Sequence, residues 1–128
     1  MAHTLISMEL KGLPPTVNNY YGRTGCTVYK KTQARQWQEK AVSELSEHWG
    51  NIPPYSGAVD FHIVYLCKDN RKWDIDNRVK ALQDCLEQAG IIENDRQVQS
   101  LHVRREYAPD RAETTTRIIL MEYKGEKD

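Results

Sequence analysis

Lys72-Trp73-Asp74-Ile75-Asp76-Asn77-Arg78-Val79-Lys80 is the stretch around which the rest of the chain arranges itself. Upstream of it, Val59, Phe61, Ile63 and Tyr65 alternate with Asp60 and His62, which predicts a strand through about Leu66. Downstream, Val79, Leu82, Leu86 and Ala89 recur on one helical face, and Gly90 is placed as a C-terminal cap, so a helix is expected from about Asp76 to Ala89. The stretch therefore lies where a strand hands over to a helix. A third carboxylate, Asp95, follows that helix in Asn94-Asp95-Arg96-Gln97-Val98.

Working outward, Ile6, Met8 and Leu10 show period-two spacing and predict a first strand over Leu5 to Leu10, ended by Gly12 and Pro14-Pro15. Val17 to Thr27 reads as a polar, glycine-bearing loop. Thr32 is expected to cap a helix running to about Trp49, with Ala34, Trp37, Ala41, Leu45 and Trp49 as its buried stripe. Pro53-Pro54 and Gly57 form a connector into the second strand, and Ile91 to Asp95 form another. Val98 to Tyr107 and Thr114 to Tyr123 read as two strands joined at Pro109-Asp110-Arg111-Ala112, an expected antiparallel hairpin. Lys124 to Asp128 is a charged tail. The expected class is α/β (α+β): a mixed sheet with two main helices in the order β-α-β-α-β-β.

With 128 residues the chain fits one domain, spanning residues 1–128. No apolar run approaches the roughly 18 residues of a membrane span, and the opening residues lack the pattern of a secretory signal, so a cytoplasmic protein with no membrane partner is expected. Cys26, Cys67 and Cys85 are odd in number and contain no CxxC pair; they indicate neither a disulfide framework nor a zinc site. The net charge is zero, which by itself speaks against nucleic acid, but the distribution is uneven. Between Leu10 and Lys40 there are six basic residues against the single acid Glu39, and beyond Lys80 the balance turns acidic. Lys30, Lys31 and Arg35, with Arg71 and Lys72 beside the motif, are the candidate DNA-contacting residues; a solvated helix face is the alternative.

In an extended segment alternate side chains share a face, so Asp74 and Asp76 are expected to point one way while Ile75 turns to the core. Lys80 stands one helical turn beyond Asp76. Carboxylates with a phosphate oxygen make a sufficient site for a hard cation such as Mg²⁺, and a helix N-terminus beside them suits an anion. The competing reading is structural: Asp-x-Asp-Asn ahead of a helix also suits capping, and Asp76 with Lys80 is an ordinary i, i+4 ion pair. Trp37 and Trp49 belong to the helical stripe and are read as core, whereas Tyr20, Tyr21 and Trp73 sit in or beside basic, polar segments where stacking on a base competes with packing. His3, His48, His62 and His102 have no evident relation to the motif and are read as structural or surface residues.

The ordered set of Leu13-Pro14-Pro15, Asn18-Asn19-Tyr20-Tyr21, Asp74-Ile75-Asp76-Asn77, Lys80, Ala89-Gly90 and Asp95-Arg96-Gln97-Val98 resembles the RusA family of Holliday junction resolvases. The resemblance implies a homodimeric mixed α/β endonuclease acting on four-way junction DNA. It also implies that Asp74, Asp76 and Asp95 bind catalytic Mg²⁺ and that Lys80 supports cleavage. Trp73 and Asn94 stand where members of that family often carry a basic and an acidic residue; Lys72 and Glu93 lie one position upstream of each. The expected chemistry is metal-assisted phosphodiester hydrolysis in recombination and repair. Two other readings are a noncatalytic DNA-binding protein of the same fold and a Mg²⁺-dependent nucleotide phosphohydrolase, the latter lacking a GxxxxGK loop.

Overall fold

The computed structural model describes residues 3–16 and 28–125, with the side chains of residues 28–31 outside the description. The Val17–Thr27 loop, with Cys26 and the Tyr20-Tyr21 pair, lies outside the described residues. So do the last three residues of the tail.

Strand β1 (Thr4–Lys11) is followed by helix α1 (Val28–Trp49), β2 (Val59–Cys67), α2 (Val79–Gln88), β3 (Val98–Tyr107) and β4 (Thr115–Glu122), with short 3₁₀ turns at Ile75–Arg78 and Asp95–Gln97. The expected class and element order hold. Helix α1 starts before Thr32, which lies inside it rather than at its cap. Nothing in Val28-Tyr29-Lys30-Lys31 opposes a helix, so a hydroxyl residue was not needed to begin one.

The expected hairpin is overturned. The sheet order is β1-β4-β2-β3, so β3 and β4 do not form a hairpin. Instead β3 pairs parallel to β2, while β4 runs antiparallel to both β1 and β2. Burial decides the order. β4 contributes the buried Thr115, Thr116, Ile118 and Leu120, and from Ile63 to Cys67 β2 is buried on both faces. These two strands therefore take the centre, and β3, largely exposed, takes an edge. After β3 the chain passes the end of β2, where Ala108 N–H donates to the Cys67 carbonyl at 2.7 Å, and re-enters the sheet as β4. A parallel pair needs a crossover of a dozen residues or more. Here that crossover carries the 3₁₀ turns, α2 and the whole of the motif.

Both helices share one core with one sheet face. Ile6 and Leu10 of β1, Phe61, Ile63 and Tyr65 of β2, and Ile118 and Leu120 of β4 meet Ala41, Leu45 and Trp49 of α1 and Leu82, Cys85 and Leu86 of α2. The two predicted core tryptophans also anchor neighbouring segments: Trp37 Nε1 donates to the Lys11 carbonyl at 3.0 Å and Trp49 Nε1 to that of Ile52 at 2.9 Å. Burial pushes the Cys85 thiol up to about 12, consistent with its reading as a core thiol. Among the described residues no helix is long and apolar enough to cross a membrane.

Candidate active site

The strand does not run directly into the motif. After Cys67 an exposed loop, residues 68–72, leads to Trp73, and the backbone then tightens into the 3₁₀ turn at Ile75–Arg78 before α2 begins. Asp76 is therefore part of a turn, and the expected extended geometry ends at Asp74, whose φ of −72° and ψ of 120° place it in the extended region. Of the expected shared face, only the exposure of both carboxylates is shown. Trp73 and Ile75 both pack against the core, which leaves Asp74 and Asp76 exposed between and beyond them. Asp74 occupies the N-cap position of the turn but makes no side-chain capping bond. Capping does not explain that carboxylate.

Trp73 is held on several sides. The Arg78 guanidinium lies 4.7 Å from its ring centroid, that of Arg105 lies 5.1 Å away, and Tyr65 meets it edge-on at 5.1 Å. Arg105 also donates to the Trp73 carbonyl, and Arg78 donates to the carbonyl of the buried Pro14. Between packing and base stacking, packing describes Trp73. Burial lowers the Arg78 pKa, and its contact with Pro14 links the Leu13-Pro14-Pro15 segment to the motif. An open groove of about 290 Å³, lined by Leu13, Arg71, Lys72, Trp73 and Arg78 among others, runs alongside.

The far side of the site depends on how α2 ends. Gly90 has φ of 78°, a left-handed conformation costly for any residue with a Cβ. Gly90 N–H bonds the Glu87 carbonyl and Ile91 N–H that of Leu86, both at 3.0 Å. These are the paired bonds of a Schellman motif, which turns the chain sharply back along the helix. The return is fastened by Gln97. Its Oε1 accepts from Glu93 N–H at 2.7 Å and from Asn94 N–H at 2.9 Å, and its Nε2 donates to the Tyr55 and Gly57 carbonyls at 2.8 Å each. Asn94 caps the second 3₁₀ turn by accepting from Arg96 N–H.

Asp95 is thereby brought back beside α2 in its own chain. Its N–H donates to Glu87 Oε2 at 2.7 Å, and its Oδ2 accepts from Lys80 Nζ at 3.1 Å. Lys80 also meets Asp84 Oδ1 at 3.1 Å, so its i, i+4 partner lies one turn ahead rather than at Asp76. Hydrogen bonding to Asp84 first, and to Asp95 second, raises the Lys80 pKa and keeps the ammonium charged. Oxygens of Asp84, Glu87 and Asp95 lie within 4.8 Å of one another, an all-oxygen donor set that fits a hard divalent cation. Asp74 and Asp76 stand outside that group of three. Asp84, Glu87 and Gln97 were missed by sequence reading. The signal for the two acids was their place, one and nearly two turns beyond Lys80 on the same helix.

The predicted DNA-contacting residues divide. Arg35 is exposed on α1, and the side chains of Lys30 and Lys31 lie outside the described residues. Lys72 is exposed, and Arg71 is exposed while paired with Asp69 at 3.2 Å. Two hydrogen bonds from Arg71, the backbone one foremost, hold the Asp69 carboxyl below its usual range.

A mixed sheet with a carboxylate-rich, lysine-bearing crossover defines a small α+β protein with an acidic cluster on that crossover. The family model described as Endodeoxyribonuclease RusA matches residues 12–119. A crossover junction endodeoxyribonuclease RusA of Aquifex aeolicus (strain VF5) is 36% identical over 99 residues, covering 76% of this chain and 77% of that protein. A crossover junction endodeoxyribonuclease rusA of Enterobacteria phage HK97 is 27% identical over 92 residues, covering 72% of this chain and 76% of its own. The chain belongs to the endodeoxyribonuclease RusA family. Its enzyme class is accordingly that of the crossover junction endodeoxyribonucleases.

Proposed function

We propose that this protein is a Mg²⁺-dependent, structure-selective endodeoxyribonuclease that resolves four-way DNA junctions by paired symmetric nicks in recombination and repair. The observation that carries the reading is the meeting of Lys80 with Asp95 at 3.1 Å inside the same crossover that carries the exposed Asp74 and Asp76. In this reading residues 1–128 form one RusA-like domain, which works in the cytoplasm as a homodimer. A four-way junction offers two equivalent strands, and a twofold enzyme presents the same surface to each.

Asp74, Asp76 and Asp95 would hold Mg²⁺, which when bound activates a water and neutralises charge on the scissile phosphate. The rest is done by the chain itself. Lys80 supplies a fixed positive charge, held by Asp84, for a phosphate oxygen or the leaving oxygen. Glu87 fixes the backbone of Asp95, so the reacting geometry does not depend on a loose connector. Lys30, Lys31, Arg35, Arg71 and Lys72 would contact the phosphate backbone.

The test is to incubate the protein with labelled four-way junction, linear duplex and nucleoside triphosphate, with Mg²⁺ or EDTA. Symmetric nicking of the junction, abolished in EDTA, is expected. Binding without cleavage would mark a noncatalytic DNA-binding protein, and nucleotide release a phosphohydrolase. Asp76→Asn is expected to lower cleavage at least about 100-fold, since several kcal/mol of transition-state stabilisation depend on the ion. Junction binding by that variant should stay nearly intact; wild-type nicking rates would remove Asp76 from the site.

A further inference from the structure

The parallel pairing of β2 with β3 has a chemical consequence on the sheet face opposite the helices. Phe61, Ile63 and Tyr65 point into the core, so Asp60 and His62, alternating with them, point the other way. In the ladder His62 stands across from His102, and Asp60 across from Ser100. Three potential ligands from two adjacent strands thus gather on the outer face. Their donor atoms lie within 4.8 Å of one another.

The spacing is that of a metal site. Bonds of about 2.0–2.1 Å in tetrahedral array put neighbouring donors about 3.3 Å apart. Here His62 Nε2 is 3.1 Å from Asp60 Oδ2, and His102 Nε2 is 3.5 Å from Asp60 Oδ1. The two imidazoles stack with centroids 4.3 Å apart and planes inclined by 14°; because an imidazole binds a metal in its own ring plane, one ring must turn about its Cβ–Cγ bond for both to hold one ion. A second observation points to the same place. Asp60 Oδ1 and His62 Nε2 are cut off from solvent yet lack a hydrogen bond of acceptable geometry among the described residues. Buried polar atoms are normally bonded, and an ion between these two would satisfy both. Ser100 Oγ, 3.0 Å from His102 Nε2, occupies that nitrogen in the structure described. Alongside is an open groove of about 430 Å³, lined by His62, Val64, His102 and Arg104 among others, with room for a water or other small fourth ligand.

We infer that Asp60, His62 and His102 form a second metal site, selective for a borderline cation such as Zn²⁺ and separate from the carboxylate centre on the crossover. Two imidazoles with one carboxylate suit Zn²⁺ far better than Mg²⁺, which seeks oxygen donors. The all-oxygen set around Asp95 has the opposite preference. With the ion bound, the edge strand β3 is tied to the central strand β2 by a link besides its ladder. β3 begins directly after the 3₁₀ turn that carries Asp95, so the link steadies the same segment that positions that carboxylate.

The experiment titrates the metal-free full-length protein with Zn²⁺ by calorimetry, with Mg²⁺ in excess, and with Co²⁺ while recording its visible d–d absorption. One Zn²⁺ per chain is expected to bind despite the Mg²⁺, and Co²⁺ to give the intense bands of a low-coordinate nitrogen-containing site. His102 is 58% exposed, so His102→Ala removes a ligand with little disturbance of the fold, which circular dichroism checks. That variant should bind Zn²⁺ at least about 100-fold more weakly, more than is typical for removal of a group that only orients a ligand. Asp76→Asn should bind it as the wild type does. No Zn²⁺ binding, unchanged affinity in both His102→Ala and His62→Gln, or weakened binding confined to Asp76→Asn would each overturn the inference.

Discussion

Lys80 and Asp95 meet at 3.1 Å although a helix and its connector separate them in the chain. The meeting requires the chain to leave α2 at Gly90 and come straight back, so that the Asp95 backbone lies beside Glu87 and its carboxylate beside the helix's first turns. Because Lys80 also binds Asp84, its ammonium sits between two carboxylates from opposite sides of that return. Its charge is protected on both.

Asp84→Asn tests that arrangement. The amide oxygen still accepts a hydrogen bond, but one of the two charges that raise the Lys80 pKa is gone. A fall of about 10- to 100-fold in single-turnover cleavage is expected, as for a displaced positioning group, with junction affinity unchanged. Lys80→Met adds a stability readout. A folded-state pKa above the ordinary lysine value of 10.5 means that the ion pairs contribute stability fully below that value and lose it as pH rises through the folded value. The Tm difference between wild type and Lys80→Met should therefore stay constant across neutral pH and narrow only in strong alkali. A Tm difference that varies around pH 7 would count against the assignment.

Gln97 carries a second prediction. Gln97→Glu keeps the oxygen that accepts from Glu93 and Asn94 but loses the Nε2 that donates to the Tyr55 and Gly57 carbonyls. Two carbonyls are then left facing a carboxylate, at a cost of about 2–4 kcal/mol. Thermal unfolding should show a clear drop in Tm, and cleavage should fall further than junction binding because Asp95 belongs to the loosened segment. Wild-type Tm and cleavage together would reduce Gln97 to an incidental neighbour.

What was legible in the chain follows from what its signals are. Period-two and period-3.6 spacing report burial of one face, so the strand at Leu5 to Leu10 and the stripe from Ala34 to Trp49 read correctly. Pairing partners are not written in that spacing. The Pro109 to Ala112 turn looked like a hairpin, and only the greater burial of β4 over β3 says that β4 belongs at the centre. The same gap hid the histidines, since His62 and His102 become neighbours only through the parallel register. The acidic motif was legible because its residues are close in sequence. Asp84 and Glu87 were not, because their importance comes from a Schellman turn that brings Asp95 back to them.

The basic cluster on α1 gives a third prediction. Arg35 is exposed, and Lys30 and Lys31 precede it by about one turn. Each basic side chain that neutralises a phosphate adds about one to the slope of log K against log salt, and its removal should reduce that slope by the same amount. Junction binding by a Lys30→Ala, Lys31→Ala, Arg35→Ala variant, measured across a salt series, should be weaker and flatter. An unchanged slope would place the DNA on another surface, with the loop at Arg71 and Lys72 the next to test.

The last prediction concerns which chain builds each site. The expected helix from Asp76 to Ala89 and a connector from Gly90 to Asp95 have nearly equal spans, roughly 21 Å and 20 Å, so Asp95 could return to the start of that helix only if the connector doubles directly back; α2 itself is the shorter Val79–Gln88. The Schellman bonds at Gly90 and Ile91 produce that reversal, and the return needs to go only as far as Lys80, whose long side chain reaches the rest of the way. Each chain is therefore expected to assemble its own Asp74, Asp76, Lys80 and Asp95. Mixing Asp76→Asn subunits with Asp95→Asn subunits, then following junction nicking, separates the two cases. If sites are built within one chain, every site in the mixed dimer carries one lesion and no activity returns. Recovery of single-strand nicking would mean that Asp95 completes the partner's site instead, and that the Lys80–Asp95 pairing is exchanged when the dimer binds DNA. Sedimentation at the working concentration completes the test, since a monomer that still makes paired nicks would overturn the homodimer.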